Sequence, residues 1–233
     1  MESREVFCSQ EETSARIKVF VGEFGSGKTE LAVNYAMRTA ECGMKTAVVD
    51  IDLVKPYFRT REHREKLEKK GVQVVAPGGR LAHADLPIMP QDLTRVLFSQ
   101  DIRVIMDVGG AKSAVVLGQI RHQLMENGCE VWMLINVRRP FTSDVPGIIH
   151  AMQNIETVSG LRVTGLVSNT NLGEETTAEH IMEGINLTRL AASELGLPIK
   201  WVVIPTWLSG QIELPEPIFV LHPVTFYPWM EPE

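Results

Sequence analysis

From Ile17 onward the chain alternates short runs that are apolar almost throughout with longer stretches whose apolar residues recur at helical spacing. The short runs predict strands at Ile17–Val21, Thr46–Asp50, Val72–Val75, Val104–Asp107, Glu130–Asn136, Arg162–Ser168 and Lys200–Pro205. The longer stretches predict helices at Lys28–Cys42, Thr60–Lys70, Gln91–Ser99, Ala114–Asn127, Thr142–Val158 and Thr177–Leu195. Strands that lack polar alternation are buried on both faces. Strand–helix alternation with short connections then predicts an α/β fold: a mostly parallel central sheet with helices on both faces, in three layers. Gly43, Gly71, Gly128, Gly160 and Gly196 each follow a helical pattern, where a left-handed cap ends a helix.

Three regions follow from this pattern. Residues 1–16 read as a polar N-terminal tail without the apolar run of a secretory signal. Residues 17–210 form the domain. Residues 211–233 are an apolar, Pro-rich tail that packs on it, and Pro215, Pro217, Pro223, Pro228 and Pro232 keep it out of helix and central strand. A length of 233 residues suits one such domain. The 23 Lys+Arg against 29 Asp+Glu, a net charge of −6, argue against a nucleic-acid-coating surface. No apolar run approaches the ~20 residues that span a bilayer. Cys8, Cys42 and Cys129 are widely spaced and lack a C-x-x-C pair, so reduced thiols in a cytoplasmic protein are the expectation.

The sharpest local signal is Gly22-Glu23-Phe24-Gly25-Ser26-Gly27-Lys28-Thr29, a full G-x-x-x-x-G-K-[ST] match between a predicted strand and a predicted helix. Glycines allow the backbone conformations and close approach that a phosphate needs. Successive N–H groups and the helix N-terminus then present fixed partial positive charge. Gly22 to Thr29, with Glu30 behind them, are therefore the expected nucleotide-binding segment. Lys28 is expected on the β- and γ-phosphates, and the Thr29 hydroxyl on Mg²⁺.

Two acidic strand ends join this loop on the carboxyl edge of the sheet, where open parallel sheets bind ligands. Asp50-Ile51-Asp52 ends the second strand; Asp107-Val108-Gly109-Gly110 ends the fourth. Asp107 is expected to hold Mg²⁺ through water, and the Gly110 N–H to meet the γ-phosphate. Asp52 is expected near the metal or the attacking water, with Asp50 in support.

Together, Gly22–Thr29, Asp50–Asp52, Asp107–Gly110 and Asn169 resemble the SIMIBI class of P-loop NTPases, in particular MinD/ParA/CobQ-type nucleotide-binding domains, over roughly residues 17–205. The resemblance implies ATP with Mg²⁺, a switch-like ATPase cycle and a homodimer or protein partner meeting the nucleotide edge. The chain departs from that pattern at Glu23, where members with the deviant loop carry a second lysine. Membrane attachment through an amphipathic C-terminal helix is not expected, because prolines break that segment. Val167 to Leu172 occupy the place of the N-K-x-D element of GTPases in the class, with Thr170 for the Lys and Leu172 for the Asp. A leucine cannot accept the guanine N–H bonds, and each donor left unpaired costs roughly 1–3 kcal/mol. ATP is preferred on that ground, with Asn169 at the adenine edge and Pro205-Thr206-Trp207 walling the base.

Further segments carry open readings. Residues 55–70 hold seven Lys/Arg against three Glu and form a local positive stretch. Their later turns read as a solvated helix face, and Arg59 or Arg61 as a contact to phosphate or an anionic partner. Arg138 and Arg139 either bind an anion or lead into a helix capped by Thr142. The loop through His83 and Asp85 reads as solvent-exposed. The function that fits best is a Mg·ATP-binding switch or assembly factor with slow hydrolysis. Its rivals are a carboxylate-activating ligase of the dethiobiotin-synthetase/CobB type and a non-hydrolysing ATP-binding adaptor.

Overall fold

The computed structural model describes residues 4–51, 64–75 and 91–224. Asp52, Arg59, Arg61, His83 and Asp85, and the aromatic residues of the last nine positions, lie outside them. Eight strands among the described residues form one parallel sheet: β1 (Ile17–Val21), β2 (Thr46–Asp50), β3 (Val72–Val75), β4 (Arg103–Asp107), β5 (Cys129–Ile135), β6 (Gly165–Ser168), β7 (Ile199–Pro205) and β8 (Ile218–Leu221). Their order is β3-β2-β4-β1-β5-β6-β7-β8, every pair parallel. β1 lies between β4 and β5, where the winding reverses, so the loop that follows it opens at the switch point of the sheet.

Alternate side chains of β1 feed two cores. Ile17, Val19 and Val21 join a cluster with Leu97, Leu117, Ile148 and Ile155, from α4 (Gln91–Phe98), α5 (Ala111–Gln119) and α7 (Val145–Ser159). Phe20 turns to the other face, against α1 (Arg4–Thr13) and α2 (Lys28–Glu41) through Phe7, Leu31 and Tyr35, with Leu67 of α3 (Arg64–Lys69) in the same cluster. α6 (Arg121–Glu126) and α8 (Ala178–Leu195) complete the first of these faces. The three-layer expectation holds.

Four features differ in kind from the sequence reading. The N-terminal segment is helix α1, and it buries Phe7 and Glu11. Its sequence looks polar because only one narrow stripe faces the core. Cys8 and Cys42, expected as reduced thiols, form a disulfide with Cα atoms 5.5 Å apart. α1 lies across the end of α2, a proximity that 34 residues of separation conceals. The expected helix over 114–127 is two helices broken at Ile120, whose φ of −107° leaves the helical region while its side chain stays fully buried. α7 is capped by Asp144, which accepts from the Gly147 N–H at 2.8 Å, rather than by Thr142.

The C-terminal segment extends the sheet. β8 pairs with β7 at the edge, between flanking prolines, as a strand next to prolines must. Beyond it, Asn34 of α2 exchanges two bonds with the His222 backbone, at 2.9 and 3.0 Å.

The disulfide closes a loop of 34 residues, which restricts the unfolded chain by about 3–4 kcal/mol in the chain-entropy picture. Cys8→Ser is expected to lower the melting temperature by about 10 °C. A reductant should do the same to the wild type and leave the variant unmoved, as read by calorimetry.

Candidate nucleotide-binding site

β1 ends at Val21, and the chain then turns through Gly22, Gly25 and Gly27 at φ of +143°, +77° and +86° before entering α2 at Lys28. The space around these glycines is occupied. A Cβ on Gly22 would stand 2.5 Å from the Leu134 carbonyl oxygen, and one on Gly27 only 2.3 Å from the Asn169 amide nitrogen. Conformation and crowding thus both demand glycine at these two positions.

Four side chains from three segments hold the loop by its carbonyls. Lys28 Nζ donates to the Gly22 and Glu23 carbonyls, each at 2.9 Å. Asn169 Nδ2 donates to the Ser26 carbonyl at 2.7 Å. The Gly25 carbonyl accepts from Arg139 Nε at 3.0 Å and from Asn136 Nδ2 at 3.3 Å. Bonds to these carbonyls fix the peptide planes of the loop, which an anion-binding array of backbone N–H groups requires.

The carboxyl edge of β4 brings the acidic partner. Thr29 Oγ1 donates to Asp107 Oδ2 at 2.6 Å, and Asp107 is buried. Asp50 stands beside Asp107 in the β2–β4 register, and the Ile51 N–H donates to the Asp107 carbonyl at 2.9 Å. Gly110 is the first residue before α5, with open space where a side chain would be. A hydroxyl and a carboxylate in contact beside a phosphate-shaped loop fit Mg²⁺, which takes one or two protein oxygens and leaves its other positions to water and phosphate. Among the described residues no cluster of three or more His, Cys, Asp or Glu side chains could form an all-protein metal cage.

Other expected residues also make contacts within the scaffold. Asn169, expected at the adenine edge, commits its amide to the Ser26 carbonyl. Glu30, expected with the nucleotide-binding segment, accepts from the Val224 N–H and so docks the C-terminal segment. Arg138 pairs with Glu183 of α8 while Arg139 leans on the loop. Pro205 closes β7, and Trp207 follows it, partly exposed. Asn136 went unmarked in the sequence. Fully buried at the end of β5, it bonds the Gly25 and Asn171 carbonyls and accepts from the Arg138 N–H. Its only sequence signal is an amide at the end of an apolar strand on the ligand edge.

The fold is similar to the cell division protein FtsY of Thermotoga maritima, at 17% identity and a TM-score of 0.57 over 86% of this chain and 68% of that one. It is also similar to FtsY of Mycoplasma mycoides, at 18% identity and a TM-score of 0.53 over 81% of this chain and 59% of that one. A third similar structure is FlhF complexed with GTP/Mg²⁺, at 16% identity and a TM-score of 0.52 over 84% and 71%.

The chain has the fold of a SIMIBI-class P-loop NTPase. It spans 59% of the Mycoplasma FtsY chain, so that protein carries structure with no counterpart here. The likeness is one of fold and does not reach the MinD/ParA/CobQ-type subdivision. The sequence matches no protein-family model and no curated protein.

Gly27→Ala should destabilise the protein by about 2 kcal/mol or more, since the left-handed conformation alone costs an alanine about 1–2 kcal/mol. Because the clash is with Asn169, the double variant Gly27→Ala/Asn169→Ala should lose less than the sum of the single losses in urea unfolding.

Proposed function

We propose that the chain is a Mg²⁺-dependent nucleotide switch that binds ATP and hydrolyses it slowly. The observation that carries this reading is the Thr29–Asp107 contact of 2.6 Å beside the glycine loop. It joins the hydroxyl that would ligate the metal to the carboxylate that would hold the metal's water. Mg²⁺ held by Thr29 and, through water, by Asp107 would neutralise phosphate charge there. Lys28 would leave the Gly22 and Glu23 carbonyls for the phosphates, and the Gly110 N–H would meet the γ-phosphate. Asp52 is proposed to orient water, with Asp50 in support.

ATP is favoured over GTP by the residues that replace the guanine reader. Thr170 is buried, and its Oγ1 accepts from the Val137 N–H at 3.2 Å. Leu172 offers no carboxylate. FlhF was solved with GTP, so the base is the point on which this chain is expected to differ from that relative.

Partner docking at the same edge is supported by the exposed apolar residues. Phe24 and Phe141 are 75% and 71% exposed, and Leu172 and Trp207 also show surface. All four sit in the connections after β1, β5, β6 and β7, on the nucleotide side, Phe141 and Trp207 each in a short 3-10 turn. A second copy or another protein meeting this rim would sense the γ-phosphate. No membrane or nucleic-acid partner is proposed; among the described residues no helix is long and apolar enough to cross a membrane. A cytoplasmic location is proposed because the nucleotide pool is there, and in that compartment the Cys8–Cys42 pair would be held largely reduced. The ligase reading loses Arg138 and Arg139 as substrate groups, since one is paired with Glu183 and the other with the loop.

Titration calorimetry tests the reading. ATP with Mg²⁺ should bind at least tenfold more tightly than GTP, and EDTA should weaken it. Lys28→Ala should cost roughly 10- to 100-fold in affinity, the worth of charge-assisted bonds to phosphate. Slow phosphate release with ATP alone fits a switch; no heat with either triphosphate would end the proposal. In a separate comparison, Asp107→Asn should abolish the benefit of Mg²⁺ while leaving metal-free binding within a few-fold.

A further inference from the structure

The Thr29–Asp107 contact lies on the β4 side of the glycine loop, so in the reading above the metal and the γ-phosphate end of a nucleotide belong on that side. The other direction along the carboxyl edge leads past β5 to β6 and β7. A base at the far end of the triphosphate therefore reaches the connections after β6 and β7. Two partly exposed apolar side chains stand there, Leu172 and Trp207. Thr176 ties their segments together: its hydroxyl accepts from the Leu172 N–H at 3.0 Å, and its carbonyl from Trp207 Nε1 at 3.2 Å.

Asn171 joins this surface to the loop. Its backbone is clasped by Asn136, whose Nδ2 donates to the Asn171 carbonyl at 3.1 Å and whose Oδ1 accepts from the Asn171 N–H at 3.3 Å. Its own Nδ2 donates to the Asn169 carbonyl at 2.8 Å and lies 3.7 Å from where a Cβ on Gly27 would stand. That bond fixes which way the amide faces, because turning it over would set Oδ1 against a carbonyl oxygen. Oδ1 is then the one polar atom of Asn171 without a partner among the described residues, and the residue is only partly buried. What Asn171 offers a ligand is an acceptor. Donors beside it are already used: the backbone N–H groups of Asn169, Asn171 and Leu172 bond the Ile135 carbonyl, Asn136 Oδ1 and Thr176 Oγ1.

We propose that Asn171 selects adenine, its Oδ1 accepting from the 6-amino group while the ring lies against Leu172 and Trp207. This rests on the nucleotide reading above and adds the residue that chooses the base. Adenine carries a donor at its 6-position, and guanine carries a carbonyl oxygen there. Asn171 Oδ1 would meet that oxygen with like partial charge, and none of the three committed N–H groups is free to bond it. One fixed amide thus discriminates between the bases, in addition to the loss of the guanine-reading carboxylate. With a base over Leu172 and Trp207, Phe24 and Phe141 remain the part of the rim open to a partner.

Titration calorimetry on the full chain with Mg²⁺ and three triphosphates tests the assignment. The probes are ATP, ITP with a carbonyl oxygen at the 6-position and no 2-amino group, and purine riboside triphosphate with only hydrogen at the 6-position. ATP should bind about fivefold more tightly than purine riboside triphosphate, the worth of a neutral hydrogen bond. It should bind at least about tenfold more tightly than ITP, whose oxygen is left unpaired. Asn171→Ala should bring ATP and the unsubstituted purine to equal affinity and narrow the gap to ITP several-fold. Equal affinities in the wild type, a measurement that needs no variant to fold, would overturn the assignment. So would a folded Asn171→Ala protein that binds all three more weakly by the same factor, the mark of a bracing role alone. Those outcomes leave nucleotide binding itself intact, whereas no heat with any of the three ends both readings.

Discussion

The nucleotide-edge architecture depends on holding one loop by its carbonyl oxygens. The carbonyls of Gly22, Glu23, Gly25 and Ser26 all accept from side chains, contributed by Lys28, Arg139, Asn136 and Asn169. Those side chains come from α2 and from the segments after β5 and β6. A glycine-rich loop is entropically costly to order, and here three neighbouring parts of the sheet edge share the ordering. The bonds from Asn169, Arg139 and Asn136 keep the Gly25–Ser26 part of the loop preset, and Lys28 is the one member proposed to move on contact.

A second polar network plays the matching role at the other end of β1. Lys18 lies in a strand that is otherwise apolar, and it is 1% exposed. A lysine there needs a partner, because an unpaired buried charge costs several kcal/mol. Glu11 of α1 supplies it, and Tyr35 of α2 donates to the same carboxylate. Burial pushes the Lys18 ammonium below its usual range, with Glu11 pulling the other way. Burial and the Glu11 charge together hold the Tyr35 hydroxyl protonated far above the usual tyrosine range. The N-terminal helix is therefore part of the core chemistry of the sheet, tied at its other side by Cys8 to Cys42.

Much of this is legible in the residues alone. The P-loop stands out because phosphate binding constrains residue type at fixed spacing, and the strand–loop–helix context around it holds. Asp107 is legible because an acid after an apolar strand must emerge on the ligand edge. Helix α1 is hidden because its apolar content is one phenylalanine and a few small residues, too weak a periodicity to detect. Asn169 stands out in the sequence as a contact to the base, and the fold adds that its amide also holds the Ser26 carbonyl. A side-chain amide can serve either, and only distance decides which. Asn136 is invisible for the same reason.

The sequence by itself determined the alternation of strands and helices, the doubly buried sheet and the loop at the end of β1. These follow from local hydrophobic period and from glycine chemistry, which act over a few residues. Tertiary structure alone decided which distant side chains meet: Thr29 with Asp107, Glu11 with Lys18 and Tyr35, and Cys8 with Cys42. Those contacts are set by strand order and helix placement, quantities that no short window of sequence contains.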